Sequence, residues 1–539
     1  DCLLSRGLGD VYKRQVLVPA LPAQTSLNPG EEPMSQSESP QLPPWDERTS
    51  RVVAPGWELV SDETEFAERV CRWHHPAGAS LFSRVGVDPG LTLRVVLKAD
   101  GPGPVRVPGP LWCFDVDEPV QVWPAGSRGC VVARVGSELL VWTEQAGRAG
   151  LANGGVSLWG PTVQVSPDHP LLASWRGEVV PDVARVRAML PGWLPASLVV
   201  EMGSVIDLCD PDSAILLDGD EMASEQVTVP LGMHRLEMRR ASGDVLLDVG
   251  SAPSLAARVT ARAHELLTSA DPRRASGGAA WLLTWASLQG LVDHDGLLLA
   301  REIVENVLAR RDDHSGTASL RGDHVLATCA GCQASWSLAD DELWDTAERA
   351  CQHLDRGSPG ALMSQALMAS VRAATGRPGP DDAMDTAASV SGPGRDPAHL
   401  AEPISDRPRR SGAGDAENCD PRIPRDPSTD HVDSPDWAAV LAAAERDLWL
   451  TPPATVGPRA NHAAWLLGEV VPAVNPGPLM ARDGQVPLEV TAWALAVTSV
   501  WPGLHQPFGE PIGVMRDRAR RRLLAAEHLD DAVLALLTW

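Results

Sequence analysis

Apolar residues recur with helical spacing from Leu255 to Ala374. In Leu297–Arg310, Ala300, Ile303, Val304, Val307 and Leu308 fall at i, i+3, i+4, i+7 and i+8, while Arg301, Glu302, Glu305 and Asn306 fill the other face. That spacing predicts an amphipathic helix, wet on one side. The preceding stretch, Ala279–Leu288, is apolar nearly all round (Trp281, Leu282, Leu283, Trp285, Leu288). Such a helix must be buried on most sides. A short turn, Gly290 to Gly296, joins the two, so an inner helix is followed by an outer one. The alternation repeats. Val325, Cys329, Cys332 and Trp336 make one stripe, and Leu343, Ala347, Ala350, Cys351 and Leu354 make another. A further helix is expected to start at Ser358-Pro359, as a cap followed by an N1 proline, and to stop before Gly376 and Pro378.

The helical period resumes after Ser434-Pro435 with Val440, Leu441, Ala444 and Leu448. Ala463, Leu466, Leu467, Val470 and Val471 follow, then Val490, Trp493, Ala494, Val497, Val500 and Trp501. Two last helices are expected over Ile512–Ala526 and Leu529–Leu537. The total from Leu255 onward is about eleven helices on these periodicities. The intervening stretch, 376–434, is rich in Pro, Gly, Asp, Ser and Arg and reads as a disordered insert.

Upstream the period changes to two. Leu91, Leu93, Val95 and Leu97 alternate with Thr92, Arg94, Val96 and Lys98. Cys130–Val135 and Glu138–Trp142 flank Gly136-Ser137 and predict a two-residue hairpin. Ser197–Glu201 and Val205–Leu208 flank Gly203, and Met233–Arg240 and Val245–Val249 flank Ser242-Gly243. A short helix is expected over Ala184–Leu190. Many short strands at this spacing predict an antiparallel β-sandwich over 51–252, either one large sandwich or two small ones. The fold class is therefore multidomain, β then α, with an α/α-toroid-like helical domain over 253–539.

The first residues stand apart. Asp10-Val-Tyr-Lys-Arg-Gln15 reads as the in-frame translation of a transposase mosaic-end sequencing adapter. Tyr12 is the only tyrosine, and Lys13 is one of two lysines, the other being Lys98. Residues 1–33 are expected to be a non-native, disordered segment, with Met34 the start and 34–50 a polar, disordered N-terminus.

Composition narrows the partners. The net charge is −25, which repels phosphate backbones and argues against nucleic acid. No apolar run approaches the roughly 20 residues that span a bilayer. Nine cysteines show no regular framework, and with no export signal from Met34 a reduced, cytoplasmic setting is expected.

The order of a β-sandwich followed by inner and outer helical hairpins resembles the six-hairpin glycosidase superfamily with its (α/α)6 toroid. Leu308–Leu354 carries the likeness best: outer helix, the loop Arg311 to Gly316, Gly322-Asp323, inner helix, then Asp340 to Ala350. The resemblance implies a carbohydrate ligand and, for an enzyme, glycoside hydrolysis or a related carbohydrate-active reaction. That chemistry needs two carboxylates roughly 5–9.5 Å apart. The candidates at a toroid mouth are Asp312 and Asp323, with Asp313 beside them, and Asp293 and Asp295. Each is equally a residue that turns and helix caps favour. Asp340, Asp341 and Glu342 suit the first turn of a helix. The alternative function is a non-catalytic scaffold or interaction protein on the same architecture.

Cys329-Ala-Gly-Cys332 with Cys351 and His353 has spacing near that of a zinc site. The three cysteines also fall on apolar helix stripes, where buried thiols are common. His74-His75 is a lone pair. There is no phosphate loop, dinucleotide fingerprint or G-x-S-x-G. No cofactor and no metal are expected.

Overall fold

The computed structural model describes residues 50–539 apart from 66–67, 87–90, 115–119, 124–128, 136–137, 153–154, 196, 209–212, 241–243, 311–321, 356, 378–435, 451–457, 469–478, 481–483 and 502–505. The expectations for 1–33, for 34–49 and for all but the first two residues of 376–434 lie outside the described residues. The described elements belong to one unit, Glu47–Trp539.

Alternating burial builds the β half. Leu93, Val95 and Leu97 are wholly buried, while Arg94 and Lys98 face water. Their strand, Leu91–Ala99, lies in an eight-stranded sheet. The order across it is Glu58–Glu65, Glu68–His75, Ala79–Gly86, Leu91–Ala99, Leu171–Val180, Glu138–Ala146, Cys130–Val135 and Gln121–Trp123. The expected hairpin is there: Glu138 pairs with Val135, leaving two residues for the turn. A four-stranded sheet built from Ser50–Val53, Leu111–Phe114, Gly155–Ser157 and Gly150–Ala152 covers one face. Trp112 of that sheet packs 5.2 Å from Trp142 and 5.1 Å from Trp175, ring centre to ring centre. These indoles form the sandwich core.

The opposite face is buried as well. Val132, Leu139 and Val141 share a core with Leu236, Met238 and Leu247 of a five-stranded sheet and with Val183 and Val186 of helix α1, Val183–Met189. The large sheet is thus a middle layer between two smaller ones. The five-stranded sheet runs Val199–Glu201, Val245–Ala252, Gly232–Arg239, Ala214–Leu217, Asp220–Glu221. One pair in it departs from the antiparallel expectation: Val199–Glu201 runs parallel to Gly250–Ala252. The strands on either side of Gly203 therefore do not pair with each other. Val205–Asp207 pairs instead with Gln226–Thr228.

The helical half contains eleven α-helices among the described residues: α2 (Leu255–Ser269), α3 (Gly277–Leu288), α4 (Asp295–Ala309), α5 (Asp323–Leu338), α6 (Asp341–His353), α7 (Ala361–Thr375), α8 (Trp437–Leu450), α9 (Pro458–Leu466), α10 (Leu488–Val497), α11 (Ile512–Leu524) and α12 (Asp531–Leu536). Six of them close a ring. α3 packs on α5, α5 on α7, α7 on α8, α8 on α10, α10 on α12, and α12 returns to α3. Two of the inner members, α3 and α10, are apolar nearly all round, while the inner α7 and α8 keep exposed residues such as Ser370 and Arg446. In α3, Ala279 through Leu283 are all buried, and in α10 every residue from Val490 to Val497 is. Trp281, Trp336 and Trp493 stand on inner helices, whereas Trp465 stands on the outer α9. The outer helices α2, α4, α6, α9 and α11 keep one wet face, as the 3.6-residue stripes require. In α4 the buried residues are Gly296, Leu297, Ala300, Ile303, Val304 and Val307.

Local caps start these helices. Ser276 accepts the Ala279 N–H at 3.1 Å and Asp340 the Leu343 N–H at 3.0 Å. Two starts differ from the sequence expectation. α7 begins at Ala361, not at Ser358-Pro359, with Gly360 at φ +85° preceding it. α8 begins at Trp437 after Asp436, whose carboxylate accepts the Ala439 N–H at 3.1 Å. In the first case a side chain from another helix supplies the cap, as described below.

The halves are joined through buried polar contacts. Gln121 donates to the Trp465 carbonyl at 3.3 Å. Glu510 pairs with Arg187 of α1 at 3.0 Å and with Arg518 of α11. No helix among the described residues is long and apolar enough to cross a membrane.

Candidate functional site

The starts of the inner helices meet at one end of the ring. Asp323, first residue of α5, accepts the N–H of Gly277, first residue of α3, at 3.2 Å. Its carboxylate therefore lies between two helix N-termini, where the aligned peptide dipoles favour negative charge. A Cβ on Gly278 would stand 2.6 Å from the backbone at Asp531 and Ala532, so the start of α12 presses on the same place. A Cβ on Gly322 would stand 2.3 Å from Trp493, and one on Gly360 would stand 2.7 Å from it. The Trp493 indole, wholly buried, thus fills the space between the starts of α5 and α7. Among the described residues this end of the ring is packed rather than hollow at that point.

Asp293 and Asp295 sit elsewhere. Both are exposed, and Asp293 accepts the Asp295 N–H at 3.2 Å in a tight turn. Asp295 begins α4, again facing a helix N-terminus. This turn follows the far end of α3, and a 12-residue helix is about 18 Å long. Asp323 lies at the near end of that helix, against Gly277. The two groups of acids therefore occupy opposite ends of one hairpin, beyond the roughly 5–9.5 Å that a glycosidase pair spans. Asp312 and Asp313 lie outside the described residues.

One acid that sequence reasoning passed over lies close to that end. Glu445 of α8 is buried, and its carboxylate accepts the N–H groups of Gly360 at 2.8 Å and Met363 at 2.7 Å. Burial pushes its carboxyl up to about 7, against the lowering effect of those two hydrogen bonds. A signal existed in the sequence: Glu445 falls four residues after Leu441, on the stripe that should be apolar.

The cysteines of α5 and α6 line the interior. Cys329 lies 3.2 Å from the Ser364 hydroxyl, and burial pushes its thiol up to about 12. Burial likewise raises Cys332, and Cys351 to about 11. His353 faces solvent, so the four residues are not brought together. Among the described residues no group of three or more His, Cys, Asp or Glu side chains could hold a metal ion. His74 pairs with Asp100 at 3.5 Å, and His75 packs edge-on against Trp57.

No known family and no curated protein matches this chain in sequence. A solved structure described as a polysaccharide lyase is similar in fold, with a TM-score of 0.53 over 88% of this chain and 85% of that chain, at 12% identity. The likeness spans the sheets and the helical ring together.

Proposed function

We propose that this protein binds or processes a carbohydrate, at the end of the helical ring where α3, α5 and α7 begin. The observation that carries the reading is the shared architecture. The fold is similar to that of a solved structure described as a polysaccharide lyase over most of both chains. In this reading 51–252 form the sandwich domain and 253–539 the helical domain, and Asp312 and Asp323 are the acids that serve the ligand. Asp293 and Asp295 mark the other end, and substituting them asks which end holds the ligand.

A second reading, a non-catalytic binding or scaffolding protein, draws on one specific observation. Asp323 already holds the Gly277 N–H, and Trp493 fills the space beside it. A carboxylate committed to a cap is poorly placed to move a proton.

One experiment separates the two. The full chain is incubated with a panel of neutral and acidic polysaccharides. New reducing ends report hydrolysis, ultraviolet absorbance of an unsaturated sugar reports elimination, and retention on immobilised polymer reports binding. Turnover that Asp312→Asn and Asp323→Asn abolish, with melting unchanged, supports catalysis. Retention without either product supports the binding protein. With neither retention nor product, the carbohydrate reading fails.

A further inference from the structure

The side of the eight-stranded sheet that meets the five-stranded one is covered only in part. The smaller sheet packs over Leu139 and Val141 of the strand Glu138–Ala146. Thr143, on that same side, pairs with Arg176. Two residues earlier on that strand, Ser174 pairs with Arg94, and Arg94 pairs with Arg84. The register therefore carries this side of the sheet across to Arg176, Arg94 and Arg84, and all three are exposed. Their chain neighbours Trp175, Leu93 and Val95 point the other way and are buried.

This open face holds its cations side by side. Arg84 and Arg94 stand directly opposite each other on adjacent strands. Arg176 lies diagonal to Arg94, at roughly 7–8 Å between backbones. Like charges in direct opposition cost stability. Only Arg84 has an acid to offset this, Glu68 at 3.3 Å. Arg94 and Arg176 have no side-chain partner among the described residues. Other acids nearby are engaged: Asp100 with Ser80 at 2.7 Å, and Glu178 with Arg185 at 3.5 Å. One row along, Phe82, Val96 and Leu172 oppose one another across the same three strands. Lys98 and Arg72 flank the Phe82 ring, at 5.6 and 6.0 Å from its centre.

The chain as a whole repels anions, with 71 acids against 46 bases. Acids beyond about 10 Å are screened at ordinary salt, so the field at this face is set by its own cations. A strip of fixed positive charge beside an apolar row fits a polymer that carries anionic groups at intervals and C–H faces between them. The guanidinium fork matches a carboxylate or a sulfate with two parallel hydrogen bonds. A neutral polymer would leave those charges unanswered. We infer that this open sheet face binds an acidic polysaccharide. The inference rests on the carbohydrate reading for the polymer and on the sheet face for its charge and place.

The test measures binding of the full chain to immobilised polygalacturonate, dextran sulfate, neutral dextran and a DNA duplex. At least one of the two acidic polysaccharides is expected to bind, more tightly than dextran or DNA. Arg94→Gln with Arg176→Gln should weaken that binding about tenfold or more, as two charge-assisted contacts are lost. Both residues are exposed, so melting should be unchanged. The charge-matched pair Arg235→Gln with Arg239→Gln, exposed on the five-stranded sheet, should leave binding near the wild-type level. The inference is overturned if neither acidic polysaccharide binds, if the Arg94 and Arg176 variant binds as tightly as wild type, or if both variant pairs lose binding alike. DNA held as tightly as the acidic polysaccharide overturns it too, since the face would then read charge without sugar. Retention or turnover of a neutral polysaccharide, with no acidic one bound, sinks the sheet face and leaves the ring reading standing. Acidic-polymer binding that Asp312→Asn and Asp323→Asn leave intact, but the Arg94 and Arg176 variant loses, supports the sheet face independently of the ring.

Discussion

Glu445 on α8 accepts the backbone N–H groups of Gly360 and Met363 at the start of α7, at 2.8 and 2.7 Å. The contact closes the inner ring across the stretch 378–435. It also explains why α7 starts two residues later than Ser358-Pro359 suggested: the cap is a carboxylate from a neighbouring helix. Glu445→Ala would leave two buried N–H donors without an acceptor. At about 1–3 kcal/mol for each orphaned group, the expected loss is roughly 2–6 kcal/mol, read as a lower urea midpoint at unchanged slope.

The same carboxyl makes stability depend on pH. Glu445 and Glu144 both rise from 4.5 to about 7 on folding, mainly through burial. Between those values the folded chain holds protons that the unfolded chain has released. Their contribution is therefore full below the unfolded value, near 4.5, and is lost as pH rises through about 7. Each group accounts for at most roughly 3 kcal/mol across that window. Melting followed from pH 8 down to pH 5.5 should show rising stability, and Glu445→Gln should flatten part of the rise. A wild-type chain that loses stability steadily over the same range would contradict this.

Trp493 and Gly360 should behave as a coupled pair. Gly360 has φ +85°, and a Cβ there would meet the Trp493 ring at 2.7 Å. Gly360→Ala combines left-handed strain with a clash, and Trp493→Ala opens a cavity costing about 3–5 kcal/mol. In the double variant the clash disappears while the strain stays. The expected result of a double-mutant cycle is a combined loss smaller than the sum of the single losses, by about 1 kcal/mol or more. Strict additivity would mean the ring and the helix start do not press on each other.

Glu510 joins the halves by meeting Arg187 of α1 and Arg518 of α11. Arg518 is almost wholly buried. Glu510→Ala leaves that guanidinium without its carboxylate, and breaking one side of a buried pair costs about 3–5 kcal/mol. Replacing the exposed pair Arg235 and Asp248 should cost under about 1 kcal/mol. Equal effects in thermal unfolding would count against the buried triad as the junction.

Cys329 and Cys332 should resist thiol reagents in the native chain. Both are buried with raised thiols, and the thiolate is the reactive form. Mass spectrometry after treatment with an aromatic disulfide should find them unmodified until denaturant is added. Labelling under native conditions would mean that α5 opens readily.

The sequence alone determined what local pattern can carry. Period-two alternation around Leu93–Leu97, the turn length between Val135 and Glu138, and the all-apolar faces of α3 and α10 set the order of sheets, then inner and outer helices. These features are legible because each depends on residues a few positions apart. Only the tertiary structure decided how the elements close and which acids meet. Glu445 and Gly360 are separated by 85 positions, and no periodicity links them. Asp293 and Asp323 look alike as turn acids, yet the length of α3 puts them at opposite ends of a hairpin. The parallel pairing of Val199–Glu201 with Gly250–Ala252 was likewise hidden. A strand's own residues specify its faces but not its partner, because pairing energy is shared with a segment that the local sequence does not contain.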